Sequence, residues 1–380
     1  MTARHVDGRL GATVVDGGTR FELWAPGASL VEVGVQRAHD TDDGTIRLGE
    51  VEVVSLQRAI DAIAELDTWS GIVDGVGHRD RYRFRLDGGE WLADPASRWQ
   101  PDGVHGSSAV VDESLYRWHD GEWTGVDLHD AVIYELHIGT FTAEGTFDAA
   151  IRHLPRLAEL GVTLIEVMPV AAFPGARNWG YDAVFPFAVQ HCYGGPTGLA
   201  GFVDAAHRFG VGVLLDVVYN HLGPEGNVLG RFGPYFTDAH RTPWGDAVNV
   251  AEAGSDSVRR YFIENAVGWI RDHHLDGLRL DAVHAIVDPT PVPFVQELTA
   301  AVHAAARQDG RSALVTIESS ANDPQIVRPV EEHGWGCDAV WNDDVHHALR
   351  VALTGERHEY YRAYRGAADL ARAWEQRWVY

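Results

Sequence analysis

Gly277-Leu278-Arg279-Leu280-Asp281 is a short apolar run that ends on a carboxylate, and a helical stretch, Val258 to His273, leads into it. The same grammar recurs on either side. Leu199 to Phe209 reads as a helix before Gly212-Val213-Leu214-Leu215-Asp216-Val217-Val218, and Phe294 to Ala306 as a helix before Ala313-Leu314-Val315-Thr316-Ile317-Glu318. Upstream, Val132-Ile133-Tyr134-Glu135-Leu136-His137 and Thr163-Leu164-Ile165-Glu166-Val167-Met168-Pro169 flank a helix near Phe147 to Leu160. Downstream, Ala339-Val340-Trp341 adds a sixth strand. Apolar strands that alternate with helices predict a parallel sheet with both faces covered. The fold class is α/β, and the repeat predicts a (β/α)8 TIM-type barrel of which about six strands are present.

A different grammar fills residues 1–110. Short alternating runs such as Arg20-Phe21-Glu22-Leu23-Trp24, Val31-Glu32-Val33-Gly34-Val35 and Tyr82-Arg83-Phe84-Arg85-Leu86 are separated by Gly, Asp and Pro turns. This predicts an N-terminal all-β immunoglobulin-like sandwich. Residues 111–130 read as a linker and 131–380 as the barrel.

Composition narrows the function classes. Apolar residues make up 45% and charged residues 23% of 380, which is ordinary for a globular protein. No apolar run reaches the ~18 residues that a membrane span needs. Met1-Thr2-Ala3-Arg4-His5 opens no apolar segment, so no signal peptide is expected. Two cysteines, Cys192 and Cys337, make no disulfide framework and suit a reducing cytoplasm. A formal net charge of -24 argues against nucleic acid as a partner.

The chemistry concentrates at strand ends. Asp216, Asp281 and Glu318 close the third, fourth and fifth strands, and the C-terminal strand ends form the active face of such barrels. A single one of them could be a satisfied core residue; three converging there are hard to explain as packing. Arg279 lies two residues before Asp281, on the same side of the strand, where its charge keeps the carboxylate ionised as a nucleophile must be. Glu318 follows the apolar run Ala313-Leu314-Val315, so desolvation is expected to suit it to acid work.

Asp216-Val217-Val218-Tyr219-Asn220-His221, Gly277 to His284 and Glu318 resemble, in order and strand context, three signature regions of the α-amylase superfamily. Phe21 to Ala28 resembles the β-sandwich that precedes the barrel in branching enzymes, isoamylases and maltooligosyltrehalose trehalohydrolases. Gly145 to Ala150, Phe173 to Asp182, Asp281 to Ile286, Asn322-Asp323-Pro324 and Trp341 to Ala348 look most like the trehalohydrolases.

That resemblance implies a retaining hydrolase acting on the α-1,4 bond next to the trehalose end of maltooligosyltrehalose. Asp281 would be the nucleophile and Glu318 the acid/base. Arg279 would hold the nucleophile, His221 would hydrogen-bond the sugar, and Tyr181 would stack under it. Asp216 and Asn220 would support the site. His284 and the cluster of Asp343, Asp344, His346 and His347 could contact the leaving sugar, or the cluster could simply open a helix. No metal or organic cofactor is implied, and a maltooligosyltrehalose synthase would be the pathway neighbour. The family's Asn-His-Asp motif, which carries a third carboxylate, does not occur in this chain. The resemblance therefore implies truncation before strand seven and little or no activity in the chain as written. A branching or debranching enzyme and a non-catalytic glucan-binding fragment are the competing readings.

Overall fold

A computed structural model describes residues 9–41, 45–61 and 66–380, with the backbone alone described at 60, 61, 66 and 67. Met1 to His5, from which the absence of a leader was expected, lie outside the described residues.

Six parallel strands form one sheet in chain order: Ile133–Leu136, Leu164–Val167, Gly212–Val217, Gly277–Leu280, Leu314–Glu318 and Ala339–Trp341. The sheet is curled. The Trp341 indole N–H on the sixth strand donates to Glu166 Oε2 on the second at 3.2 Å, whereas four strand spacings in a flat sheet would separate them by about 19 Å. This is an incomplete TIM-type barrel. Its lower interior layer is Leu164, Leu214 and Leu314, plugged from below by Val126 and Leu128. Gly277 lets the strands close there: its φ is +150°, and a Cβ would lie 2.0 Å from the Leu314 carbonyl oxygen. At the two outer strands Val132, Tyr134 and Trp341 stay exposed, while Leu136 and Leu164 are buried.

Helices Gly195–Arg208, Ser255–Arg271 and Phe294–Gln308 cover the outer face, each with an apolar stripe buried against the strands. The single helix expected over Phe147 to Leu160 is two pieces, Phe147–Ile151 and Leu154–Leu160. The cause is Pro155, which has no N–H to give to Ile151 and is tolerated only in a new first turn.

The N-terminal strands form two antiparallel sheets. One joins Gly11–Val15, Gly18–Trp24, Leu66–Asp74 and Gln57–Asp61. The other is built on Ile46–Ser55, Val31–Asp40, Arg81–Leu86 and Trp91–Leu92. Phe21 of the first sheet meets Tyr82 and Phe84 of the second at ring distances of 5.0 and 6.3 Å. The barrel holds this unit through Tyr261, whose hydroxyl donates to the Pro95 carbonyl at 2.7 Å, and through Trp24 packed edge-on to Tyr235. Among the described residues no helix is long and apolar enough to cross a membrane.

Candidate active site

Pairing in register sets the site. Asp216 lies beside Arg279, Arg279 beside Thr316, and Glu318 beside Trp341. Paired residues in a parallel sheet face one way, so these side chains share the barrel interior, above the leucine layer.

Arg279 is the hub. Its Nη1 donates to both Asp216 oxygens at 3.1 Å and to Asp281 Oδ1 at 2.8 Å, and its Nη2 donates to Glu318 Oε2 at 3.0 Å. Burial works against the cation, but the carboxylates of Asp216, Glu318 and Asp281 outweigh it and raise its pKa still further. Asp216 is buried and accepts the Tyr181 hydroxyl at 2.8 Å. Burial, with Asp281 close by, pushes Asp216 up to about 7 against the pull of Arg279.

Asp281 stands one residue beyond its strand. Asn220 Nδ2 donates to its Oδ2 at 2.8 Å and to its backbone carbonyl at 2.7 Å, so one amide fixes both ends of the residue. Ala282 follows in a left-handed conformation, and its N–H donates to Glu318 Oε2 at 3.1 Å. The enclosure expected for Glu318 is corrected. Its side chain keeps 28% of its exposure. The apolar run Ala313 to Val315 lies at the far end of the strand, while the carboxylate faces two N–H donors.

Tyr181 and His221 join the cluster. His221 Nε2 donates to the Tyr181 carbonyl at 2.9 Å, and Nδ1 lies in close contact with Asn220 Oδ1. Burial pushes this imidazole below its ordinary pKa, consistent with a neutral ring. Trp244 stacks on it at 4.4 Å and remains exposed on its other side. His284 is exposed in the short turn Val283–Ala285, next to Asp281.

Asp344 and His347, in the cluster after strand six, find their partners away from Arg279, Asp281 and Glu318. Asp343 and Asp344 lie in the first turn of helix Asp343–Thr354, capped by Asn342. The Asp344 carboxylate is filled by four protein donors: the Tyr364 hydroxyl at 2.5 Å, the Val379 N–H at 2.6 Å, Asn322 Nδ2 at 3.1 Å and the Tyr380 N–H at 3.2 Å. His347 packs among Tyr360, Tyr361 and Tyr364. His346 is exposed.

Two neighbours were missed in the sequence. Glu166 had a signal, a lone charge inside the apolar Leu164–Val167. Trp244 had none: it reaches His221 from the hairpin of Phe236–Thr242 and Gly245–Val248.

The family model described as alpha amylase, catalytic domain, matches residues 108–233. Along nearly its whole length the chain is similar to malto-oligosyltrehalose trehalohydrolases. It is 43% identical over 365 residues to that of Saccharolobus solfataricus, covering 96% of this chain and 60% of the relative. It is 45% identical over 361 residues to that of Arthrobacter ramosus, covering 95% and 60%. A crystal structure described as a candidate alpha amylase from Salmonella typhimurium superposes with a TM-score of 0.84 at 40% identity, over 98% of this chain and 60% of that one. The chain thus spans 60% of the length of these relatives.

Proposed function

We propose that this protein hydrolyses the α-1,4 bond beside the trehalose end of maltooligosyltrehalose and releases trehalose. The observation that carries the reading is the single guanidinium of Arg279 hydrogen-bonded to Asp281 and Glu318 together. It holds the two carboxyl groups near each other, and a retaining glycosidase needs such a close pair to flank the bond it cleaves. Asp281, steadied by Asn220, attacks the anomeric carbon while Glu318 gives a proton to the leaving oxygen. The glycosyl ester on Asp281 is then cleaved by a water whose proton returns to Glu318. Tyr181 and the exposed face of Trp244 bound the reacting sugar, and His284 lies where a leaving sugar would pass.

The similarity to trehalohydrolases supports this choice of substrate within the α-glucans. In this reading residues 1–110 are an immunoglobulin-like, carbohydrate-binding-module-like sandwich, 111–130 the linker and 131–380 the catalytic barrel. An enzyme that makes maltooligosyltrehalose would act before it, in a cytoplasm that suits the two free thiols Cys192 and Cys337. The test is incubation of the 380 residues, and of a version extended to the full length of the relatives, with maltooligosyltrehalose and quantification of products. Free trehalose is expected from the extended version, with little or none from the 380 residues alone, which lack the Asn-His-Asp motif; branched glucan without trehalose would replace this reading with that of a branching enzyme.

A further inference from the structure

Glu166 lies in the barrel interior beneath the acid cluster and takes no part in the bond changes proposed above. It is 1% exposed. Its Oε2 accepts the Trp341 indole N–H at 3.2 Å, and its Oε1 lies 3.9 Å from Arg279 Nε. That Nε is buried and has no hydrogen-bond partner among the described residues. The groups that face Glu166 come from four strands: Glu135 on the first, Asp216 on the third, Arg279 on the fourth and Trp341 on the sixth.

Counting charge decides its state. Three carboxylates already share the one guanidinium within 3.1 Å. Glu166 has no cation to itself, and its one hydrogen bond comes from a neutral indole. An ionised carboxylate at such depth needs a close cation or several donors. Burial first, then the charge of Asp216, push Glu166 up to about 8 against the opposing pull of Arg279. As a neutral acid it offers an oxygen to Trp341 and a polar face to Nε without drawing on the guanidinium charge. Ionised, it would pull Arg279 down by Nε, away from the two groups above.

We propose that Glu166 is a positioning residue, an uncharged carboxyl at the floor of the site that backs Arg279 and fixes where its guanidinium holds Asp281 and Glu318. This rests on the roles proposed for those two carboxylates.

Glu166→Gln keeps the shape, the acceptor oxygen and the lack of charge; Glu166→Ala removes all but the last. Thermal unfolding of the parent and both variants would be followed from pH 5 to 9, with trehalose release measured over the same range in the versions extended to the full length of the relatives. The folded carboxyl titrates above the unfolded one. The parent is therefore most stable with respect to this group below the ordinary carboxylate range, and loses that stability as pH rises toward about 8. The glutamine variant cannot lose it, so its melting temperature should gain on the parent's steadily across this window. At pH 7 its turnover should stay within about threefold of the parent, while alanine costs about tenfold or more with little change in KM. The alkaline limb of turnover should also move upward in the glutamine variant. Parallel melting curves for parent and glutamine overturn the proposal, as do equal losses in glutamine and alanine. Should alanine fail to fold, the glutamine comparison remains. Should the parent release no trehalose, the functional assignment alone fails, and the melting curves still decide whether Glu166 is the neutral partner of Arg279.

Discussion

Ala282 gives its backbone N–H to the Glu318 carboxylate at 3.1 Å, and it does so from a left-handed backbone with φ at +41°. The turn does two things at once. It turns the chain directly after Asp281, one residue past the end of the strand, and it aims the Ala282 N–H across to the neighbouring strand. An L-residue there costs roughly 1–2 kcal/mol, so the surrounding contacts must hold it in place. Strain of this kind gathers where a site has to be held in one geometry.

Ala282→Val is therefore expected to lower the unfolding free energy by about 1–3 kcal/mol, because a branched side chain tolerates this conformation least. Ala282→Gly fits the same φ without penalty and should stay close to the parent. Urea denaturation checks both. A valine variant as stable as the parent would show that residue 282 is not left-handed.

Asp281→Asn leaves the shape and the Asn220 contact to the backbone carbonyl, but removes the nucleophile. Turnover is expected to fall by at least about 10²–10³, with oligosaccharide affinity moved only a few-fold. Single-turnover assays and calorimetric titration separate the two quantities. A variant within tenfold of the parent would remove Asp281 from its role.

The barrel was legible because its strands are short apolar runs ending in Asp216, Asp281 and Glu318, and all three do meet on Arg279. What the sequence left open depends on contacts far apart in the chain. Glu166 and Trp341, 175 residues apart, meet only because the sheet curls. Trp244 reaches His221 through a hairpin that no local pattern ties to the site. The Asp343 to His347 cluster offered two readings from composition alone, a sugar contact or a helix start. Asp344 takes its donors from Asn322, Tyr364, Val379 and Tyr380, none of which is local in sequence.

That arrangement gives Asp344 a structural consequence. Its Oδ2 accepts three of the four donors. Asp344→Asn must set its one oxygen under those three donors and turn the Tyr364 hydroxyl into an acceptor, and it loses the charge that strengthens all four bonds. A loss of about 1–3 kcal/mol in unfolding free energy is expected, with oligosaccharide affinity unchanged. A weakened affinity at unchanged stability would restore Asp344 as a sugar contact.

The last prediction concerns pH. At the lower end of the barrel His207 is buried between two carboxylates, with Nδ1 on Asp120 and Nε2 on Asp276, each at 2.9 Å. Both nitrogens can donate only when the ring is an imidazolium. Trp123 stacks on it at 4.6 Å and gives its indole N–H to Asp276 at 2.6 Å, while His274 shares Asp120. Burial opposes the charge, but the hydrogen bonds and charges of Asp120 and Asp276 win and raise the His207 pKa. The folded ring thus titrates above the unfolded one. Its stabilisation is complete below the ordinary histidine value and is lost as pH rises through the raised one. Asp120 is pushed the other way: burial opposes, but the bonds to His207 and His274 prevail, so its share is lost only as pH falls below the carboxylate range. His207→Gln should cost about 3–5 kcal/mol near pH 6, where the parent ion pairs are intact. The gap should narrow as pH rises and the parent loses its imidazolium. Glu166 and Asp216 also titrate in this window, but they are present in both proteins, so the difference reports His207 together with His274, which shares Asp120 with it. Urea denaturation from pH 5.5 to 9, read by tryptophan fluorescence, measures it. A gap that stays constant across the range would mean that His207 does not change its charge within it.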